Sequence, residues 1–487
     1  MNKMKIIRNI LGSLLLGGLL CTSCTGNFEE LNTDPTRLQD ANPGTFLDPI
    51  LYGMATTNWN KFNSHTFPLM QCKISMSNTS GVGWYYMSDA AGDGTWTTYY
   101  KWLNNIREME DQAETLNEPN YKAIALTLKG WIYGLLADSF GDVPMTEACR
   151  GDEKIYTPKF DTQKEVYQAI INELDSANQL FVETSGLKYN TGGEMMYGTD
   201  NTLVSGKSAG ILKWKKFCNS LRIRTLLRVL DVDGLNAKAE LVKMISNPAT
   251  YPVFQSNDDA AKVYITGVAP EEAPLTRPAD YTSYICLSEF FINNLSALKD
   301  PRLPLFAKTA TNGTVKSYIG WPSGYDIAPS FNASIPNVAV ATAPMNLMLM
   351  NYAEVEFIKA ELALKGIITD DAKTHYENGV KAAITQWGGV VPTTYFDNTK
   401  AAYDGTMERI MLQKFFALIF CDYQQWFEYN RTLLPVMPVG KGVPQGNEMP
   451  RRFKYPASLQ RTNLINYQAA KSSMGGDDFN VKLIWQK

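Results

Sequence analysis

Apolar residues recur at three- and four-residue spacing over long stretches of this chain, the periodicity that gathers them on one face of an α-helix. Tyr99 to Leu116 carries Leu103, Ile106, Met109 and Ala113. Asn120 to Ser139 carries Ile124, Leu128, Trp131, Ile132 and Leu135, and ends where Gly141 and Pro144 interrupt FGDVP. Pro158 to Phe181 opens on Thr162 and Glu165, a capping-box pair, and continues with Val166, Ile170, Leu174 and Ala177. Gly210 to Val229 carries Ile211, Trp214, Cys218 and Leu221. The same periodicity returns from Asn351 to Gly366, from Asp371 to Trp387, and from Thr406 to Glu428. Residues 46–76 give only a broken helical pattern.

Between these two regions the pattern loosens. Residues 230–345 contain one helical stretch near Tyr284 to Leu298 and strand-like pieces such as TVKSYIGWPSG, which suggest a small hairpin. Residues 77–98, SNTSGVGWYYMSDAAGDGTWTT, read as a Gly/Ser/Asp-rich loop. The pattern predicts a mainly α fold. Paired helices at about 99–229 and 351–428 stack in the manner of tetratricopeptide repeats, with an irregular, loop-rich middle at about 230–345. No strict 34-residue period is visible, so such repeats are degenerate.

The first residues follow a different rule. Lys3, Lys5 and Arg8 precede an apolar run from Ile10 to Leu20. That run is too short to span a bilayer as a helix, which takes about 20 residues, and has the length of a secretory signal. Thr22 and Ser23 are small residues before Cys24, whereas bulky Leu20 precedes Cys21. CTSC therefore looks like a bacterial lipobox: residues 1–23 are a signal peptide, Cys24 carries palmitate-type acyl chains in outer-membrane lipid, and residues 24–45 form a tether. Glu29 and Glu30 are an early acidic pair on that tether. Residues 46–487 form the folded domain.

Composition narrows the function further. The formal net charge is −3 and the chain has only two histidines, His65 and His375, so no basic face for nucleic acid is expected. No HExxH or Cys/His cluster is present, and no metal, cofactor or catalytic residue is expected. Five cysteines follow the signal (Cys72, Cys149, Cys218, Cys286 and Cys421), widely spaced and odd in number, which is no disulfide scaffold. Asp138 precedes FGDVP and Asp142 lies within it at the helix end, a position that suits a turn hydrogen bond better than paired acid/base chemistry. Asp89 and Asp93 lack an EF-hand spacing. Arg222 and Arg224 suit packing or ion pairs between helices.

Aromatic residues make up 11% of the chain, and flat aromatics on loops suit stacking on sugar rings. Trp84, Tyr85, Tyr86 and Trp96 lie on the 77–98 loop, where the glycines of SDAAGDG allow a turn that brings Trp84 and Trp96 to one exposed surface. Trp321 and Tyr281 are further ligand-binding candidates. The alternative is that the loop folds back and buries these rings.

Several stretches taken together, in this order and spacing, resemble the SusD/RagB superfamily. They are NFEELNTDP after Cys24, GWIYGLLADSFGDVP, PKFDTQKEVYQAI, WKKFCNSLRIR, DPRL, NYAEVEFIKAE and MPRRFKYP. The resemblance implies a nutrient-binding surface lipoprotein of the Bacteroidetes outer membrane, facing the cell exterior. It further implies that the protein captures an oligosaccharide or similar nutrient and partners a SusC-like TonB-dependent transporter, without catalysis. One departure is Gln424-Gln425-Trp426, where this branch usually has Glu-Ala-Trp. A surface glycoside hydrolase or an adhesive surface lipoprotein are the competing readings.

Overall fold

The structure, a computed structural model, describes residues 41–77 and 79–486. The signal segment, Cys24, Glu29 and Glu30 lie outside the described residues. Residues from Pro43 onward form one compact unit.

The helices begin with α1 (Pro43–Lys61), whose end widens into a π turn at Phe62–Thr66. Next come α2 (Asp93–Thr115), α3 (Pro119–Phe140), α4 (Gln163–Leu180) and α5 (Ala209–Arg228), each packed against the one before. A short connection makes α2 and α3 a hairpin-like pair, whereas long loops join the other neighbours. Thr162 and Glu165 close the capping box on α4. The middle holds α6 (Ala237–Ile245), α7 (Glu289–Ala297) and three two-stranded ribbons. Strand β1 (Lys73–Ser75) pairs antiparallel with β3 (Ile285–Leu287), β2 (Ala261–Ile265) with β6 (Met345–Met350), and β4 (Ala310–Asn312) with β5 (Val315–Ser317). The last pair is the hairpin that the strand-like residues promised. Helices α8 (Tyr352–Leu364), α9 (Ala372–Gln386), α10 (Met407–Ala417) and α11 (Gln424–Thr432) follow, and a last helix spans Leu464–Ser473. Asn351 caps α8 by accepting from the Glu354 amide at 2.8 Å. The architecture is mainly α, as the periodicity predicts.

Three boundaries depart from the sequence reading. The helix expected over 406–428 divides into α10 and α11, with Phe420 and Asp422 at positive φ in the turn between them. The helix expected from Tyr99 starts at Asp93, which moves Trp96 from the loop into the first turn of α2. Helix α7 starts at Glu289, which leaves Tyr284 outside it.

The helical core is tied by buried charges as well as by apolar packing. Arg224 of α5 donates two hydrogen bonds to Glu354 of α8, both at 2.6 Å. Arg228 of α5 reaches Glu428 of α11 at 2.8 Å and Asp138 of α3 at 3.2 Å. Arg222 pairs with Asp175 and Glu240. Asp142 accepts from the Gln163 amide at 2.9 Å, fixing the turn into α4. Asp138 also accepts from the Tyr167 hydroxyl at 2.6 Å. All of these are structural roles, as the sequence reading held for Asp138, Asp142 and the arginines.

Candidate functional site

Two of the sequence candidates are the floor of a loop region and not its surface. Trp84 is 3% exposed and Trp321 is 4% exposed. Both stand edge-on to Tyr325, with ring centroids 5.1 and 5.4 Å away. Each indole N–H is satisfied by a carbonyl: Trp84 donates to Tyr325 at 2.9 Å and Trp321 to Phe331 at 3.0 Å. With Ile74 and Cys286 they form a small apolar cluster separate from the main core. A long loop cannot leave large rings in water when three of them can cover one another, since each ring buries well over a hundred Å².

The expectation that Trp84 and Trp96 share an exposed surface is therefore corrected. Trp96, half-buried, packs on Tyr100, Phe140, Phe160 and Tyr455. Tyr281 is buried against Trp59 and Phe420, and Tyr85 is buried at a positive φ of 57°. Of the candidates, Tyr86 alone is fully exposed, at 62%.

The buried rings hold separate stretches of chain together. Tyr325 donates its hydroxyl to the Ser75 carbonyl at 2.9 Å, and the Met76 amide donates to the Tyr284 carbonyl at 2.8 Å. Asn447 reaches the Trp84 carbonyl at 3.3 Å. The 440–443 loop presses on the 323–325 loop so closely that a Cβ on Gly440 would stand 1.9 Å from the Ser323 carbonyl oxygen. Only glycine permits that approach. Tyr284, 74% exposed, and Tyr86 thus sit on neighbouring segments tied to one cluster.

Beside this cluster lies a groove of about 760 Å³, within the size range of ligand pockets. Its walls come from α7, through Glu289, Phe290 and Asn293, and from the 322–327 and 436–441 loops. Tyr325 and Ser323 belong to its lining, and the Ser323 hydroxyl is buried without a hydrogen-bond partner. Hydroxyls, amides, one lysine (Lys441) and carboxylates (Glu289, Asp326) mix here with Phe290 and Ile327. Such a lining can stack on one face of a sugar and hydrogen-bond its rim. Tyr284, Tyr325 and the 436–441 loop were missed by sequence reasoning. No local sequence signal distinguishes Tyr284, exposed, from Tyr281, buried three residues earlier.

Among the described residues no cluster of three or more His, Cys, Asp or Glu side chains could hold a metal ion. His65 is buried among Tyr423, Trp426 and Phe453, and burial depresses its pKa to about 3. His375 is half-buried between Glu356 and Asp370 at 2.8 and 3.1 Å, and their carboxylates raise its pKa against the effect of burial. Asp89 pairs with Lys454 at 3.0 Å. The five cysteines of the described region are free thiols, and all but Cys149 are buried.

A family model described as starch-binding and associating with the outer membrane matches residues 35–456. Solved structures with the same fold include a SusD homologue from Bacteroides fragilis, 24% identical with a TM-score of 0.76. A chitin-binding protein is 22% identical with a TM-score of 0.77. An outer-membrane protein from Bacteroides vulgatus, named for nutrient binding, is 21% identical with a TM-score of 0.74. Each covers 92% of this chain and 100% of its own. None of the curated proteins matches the sequence.

Proposed function

We infer that this chain, which belongs to the SusD-like family, captures an oligosaccharide at the groove beside Tyr325 and passes it to a TonB-dependent transporter. The single observation that carries the binding reading is the loop cluster itself. Trp84, Trp321 and Tyr325 are spent as scaffold beside a groove of mixed polar and apolar lining, and Tyr86 and Tyr284, on chain segments tied to the same cluster, leave their rings exposed. An exposed tyrosine costs the fold little and gains by stacking on an apolar sugar face. The chitin-binding and starch-binding descriptions of the relatives support a saccharide over other nutrients. The role is binding without catalysis. Asp138 and Asp142, the carboxylates weighed for acid/base work, are committed to structural hydrogen bonds. The transporter partnership and the outward-facing lipid anchor are supported by the family's outer-membrane association and by the lipobox.

The test is calorimetric titration of a chain beginning at residue 25 with chitin- and starch-derived oligosaccharides. Tyr86→Ala and Tyr284→Ala are each expected to weaken binding about tenfold or more, with the thermal midpoint nearly unchanged. Trp84→Ala serves as the contrast: loss of a core indole should cost about 3–5 kcal/mol of stability. Full affinity in both tyrosine variants would remove the groove from consideration.

A further inference from the structure

We propose a second ligand site, for a neutral, hydroxyl-rich molecule of disaccharide size, in a cleft between the end of α9 and the β2–β6 ribbon. The cleft holds about 470 Å³ and shares no lining residue with the groove beside Tyr325. Its distinctive feature is a group of buried polar atoms with no partner. Gln386, the last residue of α9, leaves both its Oε1 and its Nε2 unpaired. Trp387, which caps the helix, leaves its indole N–H unpaired. Asn257 donates through Nδ2 to the Ala382 carbonyl and to Thr385 Oγ1, each at 3.0 Å, and so turns an unpaired Oδ1 aside. Buried polar groups in folded proteins are nearly always hydrogen-bonded, so four such atoms on three residues of one cleft call for an explanation.

The chemistry of these atoms selects the ligand. They comprise two acceptors, Gln386 Oε1 and Asn257 Oδ1, and two donors, Gln386 Nε2 and Trp387 Nε1. None carries a formal charge. A hydroxyl both donates and accepts, so a run of neighbouring hydroxyls satisfies a mixed set of this kind and can also meet Asp258 and Lys262, the charged side chains of the lining. Val340, Pro344 and Met345 supply an apolar wall. Trp387 itself is half-buried, edge-on to Phe306 at 5.3 Å, which holds the indole in place. All four atoms are covered in this conformation, and the Gln386 amide is the one that meets a ligand by rotation about its own side-chain torsions, of which χ1 and χ2 have staggered wells. A cleft of this size takes one or two sugar rings, so it acts as a local foothold and not as a long binding track.

The test uses the ¹⁵N-labelled chain from residue 25 carrying Tyr86→Ala and Tyr284→Ala, which weaken the site of the proposed function, so that the Trp387 resonance reports the second cleft separately. Maltose and chitobiose are titrated while the Trp387 indole N–H resonance, identified by its loss in Trp387→Phe, is followed. The expected result is a saturable shift of that resonance with at least one sugar. Gln386→Leu should weaken it about tenfold, the loss of a paired amide, while the thermal midpoint holds or rises because an orphaned amide has been replaced by an apolar group. Gln386→Met stands in should the leucine variant not fold. The proposal is overturned by any of three results: no saturable shift with either sugar at concentrations on the order of 10 mM, above the roughly 1 mM of weak specific binding; a shift with glycylglycine alone; or undiminished affinity in the Gln386 variant.

Discussion

Asp422 is a carboxylic acid whose ionisation this fold resists. It occupies the turn between α10 and α11 at a φ of 40°, fully buried. Its Oδ1 accepts from the Tyr423 amide and from Gln424 Nε2, but Oδ2 has no partner. Burial pushes its pKa up to about 7, although the Arg224 guanidinium pulls the other way. The sign follows directly. The folded state holds the proton more tightly than the unfolded chain, so the stabilisation from protonated Asp422 is full below about pH 4 and is lost as pH rises through about 7. Asp422→Asn keeps the acceptor and the tolerance of a left-handed backbone but cannot ionise. Thermal melts from about pH 5 to about pH 8 should show the natural chain losing a few kcal/mol relative to the variant, with the gap opening toward high pH. Parallel curves for the two proteins would mean that Asp422 is already ionised in the fold at low pH. His65 works on the opposite side: held neutral with a pKa of about 3, it supports the fold above about pH 6.5 and withdraws that support as pH falls toward 3.

At the scale of elements, the helices were legible because their apolar stripes and caps are local. Thr162 with Glu165 closes as its spacing promised, and Asn351 caps α8 through the Glu354 amide. The break between α10 and α11 was not legible. Its residues, Leu418 to Tyr423, contain no glycine or proline, and all are buried. There the chain turns because Phe420 packs against Trp59, Phe62 and Phe67 of the first helical segments, a preference set by residues more than three hundred positions away. The site failed for the same reason. Whether Trp84 faces water or Tyr325 depends on a partner 241 residues distant. The pairing of α5 with α8 through Arg224 and Glu354 gives a test of how such long-range ties contribute. Arg224→Met strands the buried Glu354 carboxylate and should cost about 3–5 kcal/mol in urea denaturation, whereas the double variant Arg224→Met/Glu354→Leu should recover much of it. A single variant within about 1 kcal/mol of the natural chain would show the pair to be idle.

For the whole molecule, the described residues contain no helix long and apolar enough to cross a membrane. Membrane attachment in our proposal is through Cys24, on the strength of the lipobox. Cys24→Ala should remove the acyl mass seen for the intact natural protein, and detergent extracts should no longer yield it with a large β-barrel partner. A fully acylated Cys24→Ala protein would place the lipid elsewhere.

The close contact at Gly440 has a further consequence for how the protein can be dismantled. Segments around residues 75–86, 284–289, 321–327 and 436–447 meet only when the chain is whole, because no two of them are adjacent in sequence. Bringing such distant pieces together carries a loop-closure entropy that grows with the logarithm of their separation. Recognition at this groove is therefore an indivisible property. No proteolytic fragment that lacks one of the four segments should retain sugar affinity. Conversely, saturating sugar at about 100 times its dissociation constant should guard the intact chain against global unfolding by about 2.7 kcal/mol. A glycan bound at this junction would act as a reversible clasp, making protease resistance of the full-length band a readout of occupancy.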